Sequence, residues 1–411
     1  MNDRIHLSMN STVSGTVRHL PSSKSLSNRA LLINALMGGK GNLENLSEAR
    51  DTQLMNALLH TPGEVIDVKD AGTVMRFLTA YFAMTGQKKV ITGTQRMQER
   101  PIANLVDALR TIGAQVSYLG KAGFPPLALE GFAGQEADRI SIRGDISSQF
   151  ISALMMVAPT LPNGLTIQLE GVVASRPYLT MTAELMGVFG VHAEVGEALI
   201  KVPSGNYQPT TYRVEPDWSA ASYWFAFAAL AEKADLLLPG VDSSSLQGDR
   251  VIVDIMKKLG VSSTFTAEGL RLTGPGQRES HLDVNFSDCP DLAQTVLPVC
   301  AALGVTGEFT GMESLRIKET DRIAALETEL AKIGASLEEN QGTWRLRPGK
   351  PADVPAKLLI NTYHDHRMAM GFAPWATIAD IEIENPEIVQ KSYPGFWEDM
   401  KALGCNMQSQ V

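Results

Sequence analysis

One pattern recurs six times along the chain: a short polar cluster opens directly into an apolar run of helix length. The openings are separated by 47, 75, 72, 72 and 75 residues, and they lie at Ser25, Gly72, Ser147, Ser219, Asp291 and His366. Because these runs are apolar on nearly every side, we expect six buried helices. The period is too long for a common solenoid repeat. It favours two domains of three similar units each.

A second pattern falls between these runs and consists of amphipathic stretches that each end in a glycine. The glycines are separated by 77, 70, 74 and 70 residues, and they are Gly113, Gly190, Gly260, Gly334 and Gly404. Each is typical of a helix that a C′ glycine terminates and a strand follows. Because the first interval of 47 residues falls 25 short of the 72-residue intervals, we predict that the first unit lacks a hairpin.

Length, charge and cysteine usage limit the classes of function. At 411 residues the chain exceeds one ordinary core, which favours two domains. The formal net charge of −9 argues against nucleic acid or an anionic membrane as partner, although a small anion responds to local charge. No apolar run reaches the roughly 18 residues that span a bilayer, and no signal peptide is evident. The three cysteines form no C-x-x-C pair, so we expect a cytoplasmic protein without a zinc site or disulfides.

The polar clusters at the helix starts indicate that the protein binds a small anion. The first turn of a helix presents N–H donors and the positive end of its dipole. Lys24, Ser25 and Arg29 lie within six residues at one such start, and these residue types suit a phosphate or carboxylate. Alternatively, each cluster is an ordinary helix N-cap. The basic residues beside several clusters favour the anion-binding interpretation for the set as a whole.

The densest charged cluster, LRIKETDRI at 315–323, has two alternative interpretations. Five charges in seven residues are typical of a solvated helix start. The flanking Ile317 and Ile323 instead favour partial burial, where Glu319 would suit general acid–base work. His364 and His366 form a weak candidate metal pair, because no further ligand stands nearby. With no Walker or G-x-G-x-x-G spacing, no nucleotide or hydride cofactor is indicated. We also expect no metal.

Together these motifs resemble the 5-enolpyruvylshikimate-3-phosphate synthase family of enolpyruvyl transferases. They follow the family's order across nearly the whole chain and read PSSKSLSNR at 21–29, DAGTVMR at 70–76, RMQERPI at 96–102, SSQF at 147–150, SRPY at 175–178, QGD at 247–249, PD at 290–291, RIKETDR at 316–322, DHRMAM at 365–370 and KSYP at 391–394. The resemblance implies an α/β fold of two pseudo-symmetric domains, each of three βαβαββ-type units (an inside-out α/β barrel), here with the first unit truncated. It implies one domain of residues 1–19 and 216–411 that holds both termini, an inserted domain of 20–215, and an active site in the cleft between them.

The resemblance also implies a reaction and the residues that serve it. The enolpyruvyl group of phosphoenolpyruvate would pass to the 5-hydroxyl of shikimate 3-phosphate with release of phosphate, in the shikimate pathway to chorismate and aromatic amino acids. The catalytic residues would be Asp291, Glu319 and Lys24. The ligands of shikimate 3-phosphate would be Lys24, Ser25, Arg29, Ser147, Ser148, Gln149, Ser175, Tyr178, Asp291, Ser314 and Lys318. The ligands of phosphoenolpyruvate would be Lys24, Gly72, Arg100, Gln149, Arg322, His366, Arg367 and Lys391. A monomer that glyphosate inhibits would be expected.

The chain departs from the family pattern at four positions in or near these motifs. Ser22 and Phe77 stand where the family usually has Gly and Pro, and Asp70 and Ser314 stand where many members have Asn. These departures affect affinity and inhibitor response rather than the reaction. One alternative is the sister transferase that acts on UDP-N-acetylglucosamine, which typically uses a loop cysteine; residues 20–215 contain none. The other is a non-catalytic binding protein, and a phosphate-release assay discriminates it.

Overall fold

The computed structural model describes residues 3–145, 147–349 and 357–410, which fold into two compact units. The terminal unit combines Met1–Ser22 with Glu215–Val411, and the inserted unit is Ser23–Val214. Each unit has a hydrophobic core of its own. Both combine helices with sheets, so the fold is the mixed α/β fold that the sequence predicts.

The strands of the described residues are short, and they are β1 (Arg4–Met9), β2 (Thr12–Thr16), β3 (Asn42–Glu44), β4 (Val65–Asp67), β5 (Lys89–Thr92), β6 (Ala114–Tyr118), β7 (Leu127–Phe132), β8 (Arg139–Arg143), β9 (Leu165–Glu170), β10 (Glu194–Val195), β11 (Leu199–Val202), β12 (Thr211–Arg213), β13 (Lys233–Pro239), β14 (Ser262–Thr266), β15 (Gly269–Gly274), β16 (His281–Asn285), β17 (Thr306–Thr310), β18 (Ser336–Asn340), β19 (Thr343–Arg347), β20 (Lys357–Ile360), β21 (Asp380–Glu384) and β22 (Cys405–Gln410).

The α-helices of the same residues are α1 (Lys24–Leu36), α2 (Arg50–Leu59), α3 (Gly72–Met84), α4 (Gln95–Gln98), α5 (Ala103–Ile112), α6 (Ser148–Val157), α7 (Arg176–Val188), α8 (Trp218–Leu230), α9 (Ile252–Lys258), α10 (Ala293–Leu303), α11 (Arg322–Ala331), α12 (His366–Phe372) and α13 (Phe396–Ala402). Across the described ranges, none of them has both the length and the apolar character that crossing a bilayer requires.

Five of the sheets share one topology, in which a parallel pair of strands continues into an antiparallel hairpin. In β4-β5-β7-β6, for example, β4 and β5 are parallel, while β7 runs antiparallel to both β5 and β6. The same order holds in β8-β9-β11-β10, β2-β13-β15-β14, β16-β17-β19-β18 and β20-β21-β1-β22. Helices connect the parallel strands, as parallel pairing requires. The repeating unit is therefore the predicted βαβαββ.

The sixth sheet shows the truncation that the 47-residue interval predicts. It pairs β12 with β3 in parallel, with Thr211 opposite Asn42. In the described part of the chain it holds two strands, where the other five sheets hold four. The hairpin that would complete the unit is the missing piece.

The six predicted buried helices are α1, α3, α6, α8, α10 and α12. In α8, for example, every residue except Ser219 is buried. The five glycine-terminated helices also form, and the terminal glycines have positive φ angles, from 73° at Gly334 to 119° at Gly113. Only glycine adopts this conformation at little cost. The sequence therefore fixes where each of these helices ends.

Candidate active site

Arg29 is a buried cation of the inserted unit, and its partners are neutral. Its guanidinium donates to Thr182 Oγ1 at 2.7 Å, to Ser152 Oγ at 3.0 Å and to the Ser25 carbonyl at 3.0 Å. It also lies 5.4 Å from the centre of the Phe77 ring. Burial without a charged partner lowers the pKa of Arg29 to about 10. An anion brought beside Arg29 would therefore gain a strong electrostatic interaction.

Lys24 begins α1 and lies in an ion pair that sequence reasoning missed. Its Nζ is 3.2 Å from Oδ2 of Asp51, which lies in the first turn of α2. The Lys24 side chain is 16% exposed and that of Asp51 is 6% exposed. Ser25 follows Lys24 and is partly exposed. The α1 terminus thus presents a cation held by an internal carboxylate.

Gly72 lies against the guanidinium of Arg100. A methyl group at Gly72 would come within 2.7 Å of Arg100 Nη1 and 2.9 Å of Nη2. Arg100 itself is 7% exposed. The sequence-predicted neighbours Arg96 and Glu99 instead form an exposed pair at 3.6 Å, so of this charged run it is Arg100 that lies buried beside a helix start.

The remaining candidates of the inserted unit lie on α6 and α7. Gln149 Nε2 donates to Thr73 Oγ1 at 3.0 Å, which ties the start of α6 to the start of α3. Ser147 caps α6 by accepting from the Gln149 amide, and Ser148 is the first residue of that helix. Ser175 precedes α7 in a left-handed conformation with φ of 57°. Tyr178 lies 5.7 Å from the Arg29 guanidinium, measured to the ring centre.

In the terminal unit, Asp291 lies between two arginines. Arg322 Nη1 donates to its Oδ1 at 2.8 Å, and Arg367 Nη2 donates to its Oδ2 at 2.8 Å. Burial alone would raise the pKa of Asp291, but Arg367, Arg322 and Lys318 outweigh burial and hold that pKa well below its usual range. Asp291 is therefore an anion across the physiological pH range.

Arg322 also holds two further carboxylates. It donates to Glu319 Oε2 at 3.0 Å and to Asp365 Oδ2 at 2.7 Å. Asp365 caps α12 by accepting from the Arg367 amide at 2.9 Å. Three carboxylates, from three separate segments, thus converge on one buried guanidinium. Two of the predicted catalytic residues, Asp291 and Glu319, thus accept hydrogen bonds from the same arginine, Arg322.

Asp249 is a buried carboxyl on which the charge of Asp291 acts, and sequence reasoning did not assign it a role. It belongs to the QGD motif, and its Oδ2 accepts a hydrogen bond from Ser219. Burial first, and then the charge of Asp291, raise the pKa of Asp249 to about 7. The pKa of Asp249 is therefore raised, whereas the pKa of Asp291 is lowered.

Some residues of the 315–323 cluster stabilise the start of α11, and others are candidate site residues. Asp321 caps α11, and Arg316 pairs with Glu339 on the surface at 2.6 Å, as a solvated helix start would. Lys318 and Ser314 are partly exposed, Ser314 within the 3₁₀ turn Glu313–Ile317. Both of the alternatives left open by the sequence are therefore partly correct.

His366 and Lys391 are buried at 1% and 0% exposure. His366 begins α12, with Nδ1 3.6 Å from Asp365, whereas His364 is exposed. Among the described residues, no group of three or more His, Cys, Asp or Glu is placed to hold a metal ion.

The fold and these charged helix starts define a class: a two-unit α/β protein with buried cations at its helix starts and with two or more carboxylates on one of these cations. The sequence model of the EPSP synthase (3-phosphoshikimate 1-carboxyvinyltransferase) family matches residues 7–64 and 57–400. The 3-phosphoshikimate 1-carboxyvinyltransferase of Bacteroides fragilis is 46% identical over 409 residues, covering 98% of this chain and 99% of the relative. That of Idiomarina loihiensis is 37% identical over 434 residues, with the same coverage.

The solved structure of EPSP synthase from Acinetobacter baumannii has the same fold, with a TM-score of 0.78 at 22% identity and full coverage of both chains. The chain belongs to the EPSP synthase family.

Proposed function

We propose that this chain transfers the enolpyruvyl group of phosphoenolpyruvate to the 5-hydroxyl of shikimate 3-phosphate and releases phosphate. The family match and the relatives at 37–46% identity support this reaction. The observation that carries it is the convergence of Asp291 and Glu319 on Arg322, because the reaction needs two proton-handling groups beside cations.

The reaction is an addition followed by an elimination. The 5-hydroxyl oxygen bonds to C2 of phosphoenolpyruvate, its proton leaves to a base, and C3 accepts a proton. The resulting ketal then loses phosphate from C2, and C3 returns its proton. We assign the hydroxyl proton to Asp291, assisted by Lys24, and the C3 proton to Glu319. Lys24, Arg100, Arg322, Arg367 and Lys391 hold the carboxylate and phosphates.

The arginines that hold Asp291 also couple binding to catalysis in this proposal. In the structure, Arg322 and Arg367 keep Asp291 ionised and weakly basic. A carboxylate or phosphate of the substrate that competes for these guanidiniums would weaken their hold on Asp291. The basicity of Asp291 would then rise when substrate is bound.

We propose that residues of both units bind the two substrates. Of the candidate ligands, Arg29 and Arg100 belong to the inserted unit, and Arg322 and Arg367 belong to the terminal unit. A substrate pair that contacts both sets supplies energy for closure. Small-angle scattering should show compaction when both substrates are added. An unchanged radius of gyration would count against the shared site.

Localisation, assembly and inhibition complete the proposal. We expect a cytoplasmic monomer, on the composition and the three free, buried cysteines Cys289, Cys300 and Cys405. Burial raises the pKa of Cys405 to about 12, so it has no thiolate character at neutral pH. We expect glyphosate to compete with phosphoenolpyruvate beside Gly72.

Phosphate release from the two substrates tests the function. Wild type should release phosphate with shikimate 3-phosphate and not with UDP-N-acetylglucosamine. Glu319→Gln should reduce the rate by about 10²–10⁴-fold, while Glu338→Gln, an exposed carboxylate on β18, should not. Cys289→Ala should retain turnover. No release by folded wild type would leave only the binding-protein alternative.

A further inference from the structure

Asp51 is a buried carboxylate that the reaction scheme above does not use. It is the second residue of α2 and is 4% exposed. A buried carboxylate is costly unless a cation or hydrogen bonds compensate it. The first turn of a helix favours an anion. Among the described residues, the side chain of Asp51 accepts a hydrogen bond from the Lys24 ammonium, at 3.2 Å.

The elements that carry this pair are fixed relative to each other. The Ser47 amide donates to Ser27 Oγ at 2.9 Å, which ties α1 to the segment before α2. The Ala49 amide donates in turn to Ser47 Oγ at 3.3 Å. These contacts are buried and independent of the ion pair. The backbone segments that carry Lys24 and Asp51 are therefore held together independently of the ion pair, which leaves the contact with Asp51 to orient the Lys24 side chain.

The second oxygen of Asp51 distinguishes this carboxylate from a structural one. Asp51 Oδ1 is buried and has no hydrogen-bond partner among the described residues. In contrast, Asp399, which is also buried, has both oxygens bonded: Oδ1 accepts from the Arg18 amide and Oδ2 from the Tyr393 hydroxyl. A carboxylate buried chiefly for stability would be bonded as Asp399 is. Asp51 makes one directional contact, and that contact is to Lys24.

We infer that Asp51 is the positioning residue for Lys24: it fixes the ammonium where the substrates meet it. An ammonium has three N–H donors, so a bond from one of them to Asp51 orients the other two. The inference rests on the proposed function, because only that function gives Lys24 a substrate to act on. Misplacing a substrate-orienting group by about 1 Å can cost roughly 100-fold in rate.

Asp51→Asn tests this role, because asparagine keeps the shape and removes the charge. We expect kcat to fall by about 10–100-fold, by a larger factor than KM rises for either substrate. Asp51→Glu restores the charge and should recover part of that loss. Thr52→Val is the matched control: Thr52 is the next residue of α2, is also buried, and is not paired with Lys24. It should retain wild-type kcat.

The double variant separates positioning from stability. In a Lys24→Met background, adding Asp51→Asn should change neither the residual rate nor the dissociation constant of shikimate 3-phosphate, because the group it positions is gone. A further loss in that background, or a wild-type kcat in Asp51→Asn, would overturn the inference. If Asp51→Asn does not fold, Asp51→Glu decides: kcat must fall at an unchanged unfolding midpoint. Wild type that releases no phosphate would refute the proposed function instead.

Discussion

A buried arginine in each unit has partners of the opposite kind: Arg29 has neutral partners, and Arg322 has carboxylate partners. In the inserted unit, Arg29 is surrounded by hydroxyls, a carbonyl and aromatic rings, and burial lowers its pKa to about 10. In the terminal unit, Arg322 is bonded to three carboxylates. Burial alone would lower the pKa of Arg322, but those carboxylates raise it above its usual range.

This difference indicates a division of labour. A buried cation with neutral partners gains most from a ligand that brings a negative charge, so the Arg29 region is suited to holding a phosphate. A cation that internal carboxylates already neutralise gains less from a new anion. Its carboxylates instead provide groups that accept and return protons. We therefore expect Arg29 to contribute chiefly to binding, and the carboxylates bonded to Arg322 to contribute chiefly to proton transfer.

The largest expected effect is on turnover in the terminal unit. Asp291→Asn should lower kcat by about 10²–10⁴-fold, because it removes the base assigned to the 5-hydroxyl. Arg29→Gln in the inserted unit should chiefly raise the dissociation constant of shikimate 3-phosphate. Steady-state kinetics and calorimetry on both variants measure the two effects. Equal loss of kcat in both would contradict the division of labour.

Stability should distinguish the same two arginines. Arg322→Met leaves three carboxylates without their shared cation and should cost about 3–5 kcal/mol in the free energy of unfolding. Arg29→Met should cost less, because Thr182 Oγ1 can still donate to Ser152 Oγ, 3.0 Å away. Denaturant unfolding measures both. A larger loss for the Arg29 variant would contradict the comparison.

The pH dependence of stability should reveal Asp249 in the terminal unit. Its folded pKa of about 7 lies above its ordinary value of 3.8. The folded state therefore binds more protons, and Asp249 lowers stability as the pH rises from about 4 to about 7. The shift of about 3 units corresponds to at most about 4 kcal/mol.

Asp249→Asn should remove this loss, so its stability should exceed that of wild type more at pH 8 than at pH 5. Ser219 donates to Asp249, and the charges of Asp291, Arg367 and Asp217 act on it. Asp254→Asn, an exposed position on α9, is the control and should follow wild type. If the free energy of unfolding changed with pH in the same way for wild type and Asp249→Asn, Asp249 would be ionised throughout this pH range and its pKa would not be raised.

The smallest expected effect concerns glyphosate in the inserted unit. At Gly72 an added methyl would lie 2.7 Å from Arg100 Nη1, so Arg100 must move. Gly72→Ala should therefore raise the inhibition constant by about 10–200-fold, the range for one misplaced methyl group. Inhibition kinetics against phosphoenolpyruvate measure this. An unchanged inhibition constant would show that Gly72 does not contact the inhibitor.

Phe77 bears on the expected glyphosate inhibition, and the structure shows how. Its ring is buried in α3 and lies beneath the Arg29 guanidinium at 5.4 Å. Phe77→Pro would remove this ring and one helical hydrogen bond together. We expect it to weaken shikimate 3-phosphate binding as well as to change glyphosate inhibition. The contact between Phe77 and Arg29, on which the first effect depends, is visible only in the structure.

The sequence by itself determined the repeating unit and the chemistry-bearing segments. Apolar runs behind polar openings specify buried helices such as α8, and a glycine such as Gly113 specifies where a helix ends, because these are local properties of the chain. The short first interval likewise specified the reduced sheet of β12 and β3. Family motifs supplied Lys24, Asp291 and Glu319 as candidates.

Only the tertiary structure decided which charges compensate each other. Asp51 pairs with Lys24 across 27 residues, and Asp365 pairs with Arg322 across 43. Asp365 could have been suspected as a helix cap within DHRMAM, whereas an acid in the first turn of α2 is too common to single out. The effect of a charge depends on burial and on neighbours from distant segments. Those distances exist only once the helices have packed.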